Sequence, residues 1–123
     1  MKKYTYILGP CSIENEDNFL EVAKTLDGYM GGKDWYLKGS FDKANRTSIH
    51  SDRGILDCTH STQMAGEGIT GGSRKLAKQY AQAAKIFEYD GVFIETHPDP
   101  DNAISDSASQ VELDWLVSQI NNI

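Results

Sequence analysis

Apolar positions along the chain switch repeatedly between a period of two and a period near four. Tyr4-Thr5-Tyr6-Ile7-Leu8 is aromatic and β-branched and predicts a strand, stopped by Gly9-Pro10. Phe19, Val22, Ala23, Leu26 and Met30 recur at helical spacing and predict a helix over 16–30, ended by Gly31-Gly32. A second strand runs from Trp35 to about Ser40. Residues 42–54 are polar and show no helical period. Ile55 to His60 reads as a short strand and 61–72 as a glycine-rich loop. Ser73 is placed to cap a helix reaching about Phe87, with Leu76, Ala77, Tyr80, Ala81 and Ala84 on one face. Gly91-Val92-Phe93-Ile94-Glu95 predicts a buried strand, and 96–101 a turn-rich loop. A last helix spans about Gln110 to Ile120, with Leu113, Leu116, Val117 and Ile120 inward.

The order is β-α-β, a long loop, then β-α-β-α, which predicts an α/β fold with parallel strands. The 123 residues suffice for one domain with a core. Twelve basic against 18 acidic residues give a net charge of −6, which argues against a nucleic-acid partner. The cations are unevenly placed: Lys38, Lys43, Arg46 and Arg53 face only Asp42 and Asp52 over 38–53. Such an island suits a small anionic ligand. No apolar run approaches a membrane span, and the N-terminus lacks a secretory h-region. Two cysteines are too few for a disulfide scaffold and fit a reducing cytoplasm.

Chemistry-bearing residues follow the strand ends, where parallel α/β sheets and barrels place their sites. After the second strand come Lys38, Lys43, Asn45 and Arg46, a set of donors suited to a phosphorylated or carboxylated small molecule, and equally to a solvated turn. Cys11, His60, Glu95 and Asp106 are of metal-ligand type. Composition and spacing alone leave each of these open to a structural reading. Cys58 shares His60's strand face by the period of two and reads as core.

Five strings together resemble one family. Gly9-Pro10-Cys11-Ser12-Ile13-Glu14, Lys38 to Arg46 with its Asp42-Lys43-Ala44-Asn45-Arg46 core, Asp57-Cys58-Thr59-His60-Ser61, Phe93 to Pro100, and Ala103-Ile104-Ser105-Asp106 resemble motifs of the 3-deoxy-D-manno-octulosonate 8-phosphate synthases. The resemblance implies a (β/α)₈ barrel that condenses phosphoenolpyruvate with arabinose 5-phosphate. It implies a divalent transition metal (zinc, iron or manganese) on Cys11, His60, Glu95 and Asp106, with Cys11 marking the metal-dependent branch. Lys38 and Lys43 match residues that meet phosphoenolpyruvate, and with His60 are the implied catalytic set. Asn45, Arg46 and Thr47 match the sugar-phosphate side, Thr47 standing where serine is usual. The family arginine matching Arg46 reaches a neighbouring subunit, which implies a homo-oligomer.

The strings map to the family's first two and last two strands, residues 1–54 to the N-terminal part and 55–123 to the C-terminal part. A complete barrel takes about 250 residues, so a partial barrel of about four parallel strands is expected, with helices outside. The family's lysine and arginine for the phosphoenolpyruvate phosphate fall in the missing middle, and Arg53 and Arg74 are the nearby substitutes. Strands seven, eight, one and two are neighbours in the parent ring, so their sheet has two open edges. Two chains could close an eight-stranded ring, strand two beside strand seven; the alternative is an open sheet with helices on one face. The competing functional reading is a non-catalytic relative that binds metal or sugar phosphate, or joins a full-length synthase.

Overall fold

The computed structural model describes residues 3–40, 54–66 and 69–123. Among them a parallel sheet runs in the order β2-β1-β6-β3, formed by β1 (Thr5–Gly9), β2 (Asp34–Leu37), β3 (Ile55–Asp57) and β6 (Gly91–His97). This is the order expected of strands two, one, eight and seven of a barrel. The sheet is open, as a partial barrel requires.

Helix α1 (Glu16–Tyr29) connects β1 to β2, and α2 (Arg74–Ala83) lies between β3 and β6. Asn15 caps α1 by accepting from Asn18 N–H, and Ser73 caps α2 by accepting from Leu76 N–H. Right-handed crossovers put both helices on one face of the sheet. The core confirms it: Tyr6, Leu8, Val92 and Ile94 point under Val22, Leu26 and Met30 of the α1 segment and Ala77, Ala81 and Ala84 of the α2 segment. Leu113, Leu116 and Ile120, from α3 (Leu113–Gln119) and its end, join the same cluster. The strand period of two sends Ile7, Phe93 and Tyr36 to the other face, where the register lines them up with Asp57.

Several local expectations are corrected. The third strand ends at Asp57, and His60 lies in a 3₁₀ turn, His60–Thr62. The Asp57 carboxylate accepts from Thr59 N–H at 3.1 Å and His60 N–H at 2.9 Å, which bends the chain out of the strand. The glycine-rich 61–72 stretch contains an antiparallel pair, β4 (Met64–Gly66) with β5 (Ile69–Gly71). The last helix starts at Leu113, because Val111–Glu112 form a short β7 that extends the sheet beside Thr96 and His97. Helix α2 also ends earlier than its periodicity, and its Leu76 is exposed while Ala77 and Ala81 are buried. No helix among the described residues is long and apolar enough to cross a membrane.

Candidate metal and anion site

The C-terminal ends of the four strands converge on one cluster. Cys11 follows β1, Lys38 follows β2, His60 follows β3, Glu95 is in β6, and Asp106 sits on the 98–110 segment beyond it. The close approach of strand ends makes this convergence feasible: a Cβ at Gly9 would lie 1.9 Å from the Lys38 carbonyl oxygen. Only glycine lets β1 and β2 meet there.

One donor atom each from Cys11, Glu95 and Asp106 lie within 4.8 Å of one another. Cys11 Sγ is 3.0 Å from Asp106 Oδ2. His60 Nε2 is 3.0 Å from Glu95 Oε1 and 3.8 Å from Asp106 Oδ2. Cys11, Glu95 and Asp106 thus form a compact group across 95 positions of sequence, and His60 borders it through Glu95 and Asp106. Lys38 Nζ pairs with Glu95 Oε2 and donates to Cys11 O at 3.3 Å. An ammonium has three N–H donors; among the described residues these two are engaged.

Asp57 organises the histidine, and sequence reasoning did not single it out. Its Oδ2 is 2.7 Å from His60 Nδ1. Burial opposes its ionisation, but hydrogen bonds from His60 outweigh this and hold the carboxyl below the usual range. An ionised carboxylate only accepts, so Nδ1 carries the proton and Nε2 turns toward Glu95 and Asp106. A histidine three residues after an aspartate in a turn was the available signal.

The electrostatics show a buried, acceptor-rich site. Glu95 is 1% exposed. Burial would raise its pKa, but His60 and Lys38 hold it below the carboxylate range. Its Oε1 is buried without an aligned hydrogen-bond donor, despite the nearby Nε2. Burial alone would lower the His60 pKa; hydrogen bonds and charges from Asp57 and Glu95 push it up to about 9. Burial pushes the Cys11 thiol up, against a Ser105 hydrogen bond and with help from Asp106 and Glu95. Imidazole, two carboxylates and a thiol around an orphaned buried oxygen are a donor set that fits a divalent transition metal. Cys58, by contrast, is fully buried, and burial, then Asp57, pushes its thiol up to about 12.

Lys43, Asn45, Arg46 and Thr47 lie outside the described residues, as does Arg53. Arg74 is already engaged. Its Nη2 is 2.8 Å from Asp101 Oδ1 and donates to Ser107 O at 2.8 Å, and its Nε donates to Gln110 O at 2.8 Å. These contacts engage the residue expected as a substitute phosphate cation.

The sequence model of the DAHP synthetase I family matches residues 2–56 and 53–121, nearly the whole chain in two segments. The chain belongs to the DAHP synthetase I family. Within that family it resembles proteins named 2-dehydro-3-deoxyphosphooctonate aldolase. One from Legionella pneumophila (strain Lens) is 45% identical over 71 residues, 56% of this chain and 26% of that protein. One from Brucella ovis is 48% identical over the same shares. The matched part spans about a quarter of these relatives' length. Among solved structures, a truncated 3-deoxy-D-arabino-heptulosonate 7-phosphate synthase from Thermotoga maritima superposes with a TM-score of 0.65 at 13% identity, over 98% of this chain and 85% of that chain. At this identity the likeness shows the fold, and it supports the partial-barrel reading of this family member.

Proposed function

We propose that the chain carries the metal and anion site of an octulosonate-type synthase and condenses phosphoenolpyruvate with arabinose 5-phosphate. The supporting observation is the convergence of Cys11, His60, Glu95 and Asp106 with Lys38 at the ends of four parallel strands. The octulosonate name of the relatives favours this sugar over a heptulosonate precursor. Cys11, His60, Glu95 and Asp106 would hold the metal, which when bound supplies Lewis-acid polarisation and orientation at the sugar aldehyde or an attacking water. Asp57 keeps the His60 proton on Nδ1. Lys38 keeps a donor for the phosphoenolpyruvate carboxylate while its other contacts fix it against Glu95 and Cys11 O. Lys43 would add a second cation, and Asn45, Arg46 and Thr47 would receive the sugar phosphate. The setting is the cytoplasm, where both thiols stay reduced.

The sheet's open edges favour a second copy as partner. Eight of the nine large apolar side chains exposed among the described residues are Leu20, Tyr29, Tyr36 and Leu37, in α1 and the edge strand β2, and Leu76, Ile86, Phe87 and Tyr89, in and after α2; Ile104 is the ninth. A two-fold axis along the strands would set β2 of one copy beside β3 of the other, parallel, and close a ring of eight. The non-catalytic reading keeps the metal but not the turnover; the engagement of Arg74 by Asp101 and Glu112 favours it. Release of phosphate from phosphoenolpyruvate, measured with and without arabinose 5-phosphate and added metal, separates the two. Sugar-dependent release supports the synthase; metal uptake without release supports the binding relative.

A further inference from the structure

Asp106 sits in a difficult place for a ligand. Its backbone is left-handed, with φ of 46°, and it lies in the irregular stretch between β6 and β7, where the described regular structure is one 3₁₀ turn, Pro100–Asn102. Irregular segments open locally at low cost. A metal ligand must nevertheless be held to within about 0.5 Å. Backbone structure does not supply that precision here, so side chains must.

Two polar side chains, one buried and one half-buried, tie this segment to the turn that carries Cys11. Gln110, 1% exposed, accepts from Cys11 N–H at 3.3 Å through Oε1 and donates to Ser105 O at 2.9 Å through Nε2. One amide thereby bridges the residue before Asp106 to Cys11 itself. Glu14 accepts from Ile104 N–H at 2.7 Å through Oε1, and its Oε2 is 3.1 Å from His97 Nε2. His97 Nδ1 accepts from Asp99 N–H at 2.9 Å, so Nε2 holds the ring proton and donates to Glu14. A Ser105–Ser12 hydroxyl bond of 3.0 Å lies beside them. Arg74 grips the same segment from α2. The polar contacts of Gln110 go to the backbone of Cys11 and Ser105, and those of Glu14 to Ile104 N–H and His97, not to the candidate ligand atoms.

We propose that Glu14 and Gln110 are positioning residues that clamp the Asp106 segment against Cys11 and fix the spacing of the two ligands. The consequence for an ion rests on the metal reading above; the clamp itself does not. In the metal-free chain, Cys11 should be shielded from a disulfide-exchange reagent, with mass spectrometry counting Cys58 apart. Gln110→Met keeps the volume and removes both hydrogen bonds; labelling of Cys11 should rise about tenfold. Glu14→Gln loses the charge that holds His97 and should raise labelling several-fold. Cobalt affinity should fall about 10- to 100-fold in both variants, as for other residues that orient ligands. Circular dichroism checks the fold, and if Gln110→Met fails to fold, Glu14→Gln decides. Wild-type labelling rates in folded variants would overturn the clamp. If the wild type takes up no cobalt, the metal reading falls and labelling alone decides the clamp.

Discussion

At the scale of single residues, the cluster is held in tension between lone pairs and the positive charge available to them. With Asp57 fixing the Nδ1 proton, Nε2 of a neutral His60 would face the carboxylates of Glu95 and Asp106. A proton on His60 relieves this, which is why its pKa is pushed up to about 9. A metal held there would have the same effect, since His60 and Cys11 would bind it without those protons. Two trends of opposite sign follow. A raised pKa contributes stability that is full below the unfolded value, near 6.5, and is lost as pH climbs through about 9. The metal-free chain should therefore lose stability across pH 6.5–9 in urea titrations at fixed temperature. Metal affinity should climb over the same window, read by chelator competition. Asp57→Asn should cost about 10- to 100-fold in that affinity, since the amide no longer requires a proton on Nδ1. The four candidate ligand residues stood out in the sequence because each sits in a contiguous motif resembling the family's. Glu14 and Gln110 did not, because their contacts span 90 and 99 positions, whereas Asp57 was passed over although its partner is three residues away.

Elements were legible where one period dominated. The buried strand β6 and helix α1 came out close to their predicted bounds, since Val92 and Ile94, like Val22 and Leu26, each follow a single spacing. The β4–β5 pair was hidden because glycines read as loop. The two-residue β7 was hidden because Val111 also fits the periodicity of the helix that follows. The exposure of Leu76 has its reason in α2's alanines, which allow close packing of one narrow stripe on the sheet. The tightest spots are glycines between strands. At Gly91 a Cβ would lie 2.0 Å from Thr5 O, comparable to the clash at Gly9. Gly9→Ala should thus lower the urea midpoint by more than about 3 kcal/mol would require, or prevent folding, because backbone has to move. Ser73→Ala, which removes only the α2 cap, should cost about 1 kcal/mol.

For the whole molecule, the parent ring explains the strand order β2-β1-β6-β3 better than chain order does, since consecutive β2 and β3 end up on opposite edges. That arrangement was legible only through the family resemblance; periodicity yields strands but not neighbours. The oligomer was legible only as an implication of the resemblance, and the proposed ring would cover Tyr36, 59% exposed, and Phe87, 71% exposed. Sedimentation at micromolar concentration should show a dimer. Replacing Phe87 by glutamate should shift it to monomer, because the charge would be buried against the partner's flank. A wild-type monomer would remove the closed-ring idea and leave an open sheet.

The central claim is that Cys11, His60, Glu95 and Asp106 hold a single divalent ion. Titration of the chain with cobalt, followed through the thiolate-to-metal absorption band, tests it most directly. One equivalent should bind with that band present, and Cys11→Ser should lose the band. No uptake, or a band that survives Cys11→Ser, would contradict the account.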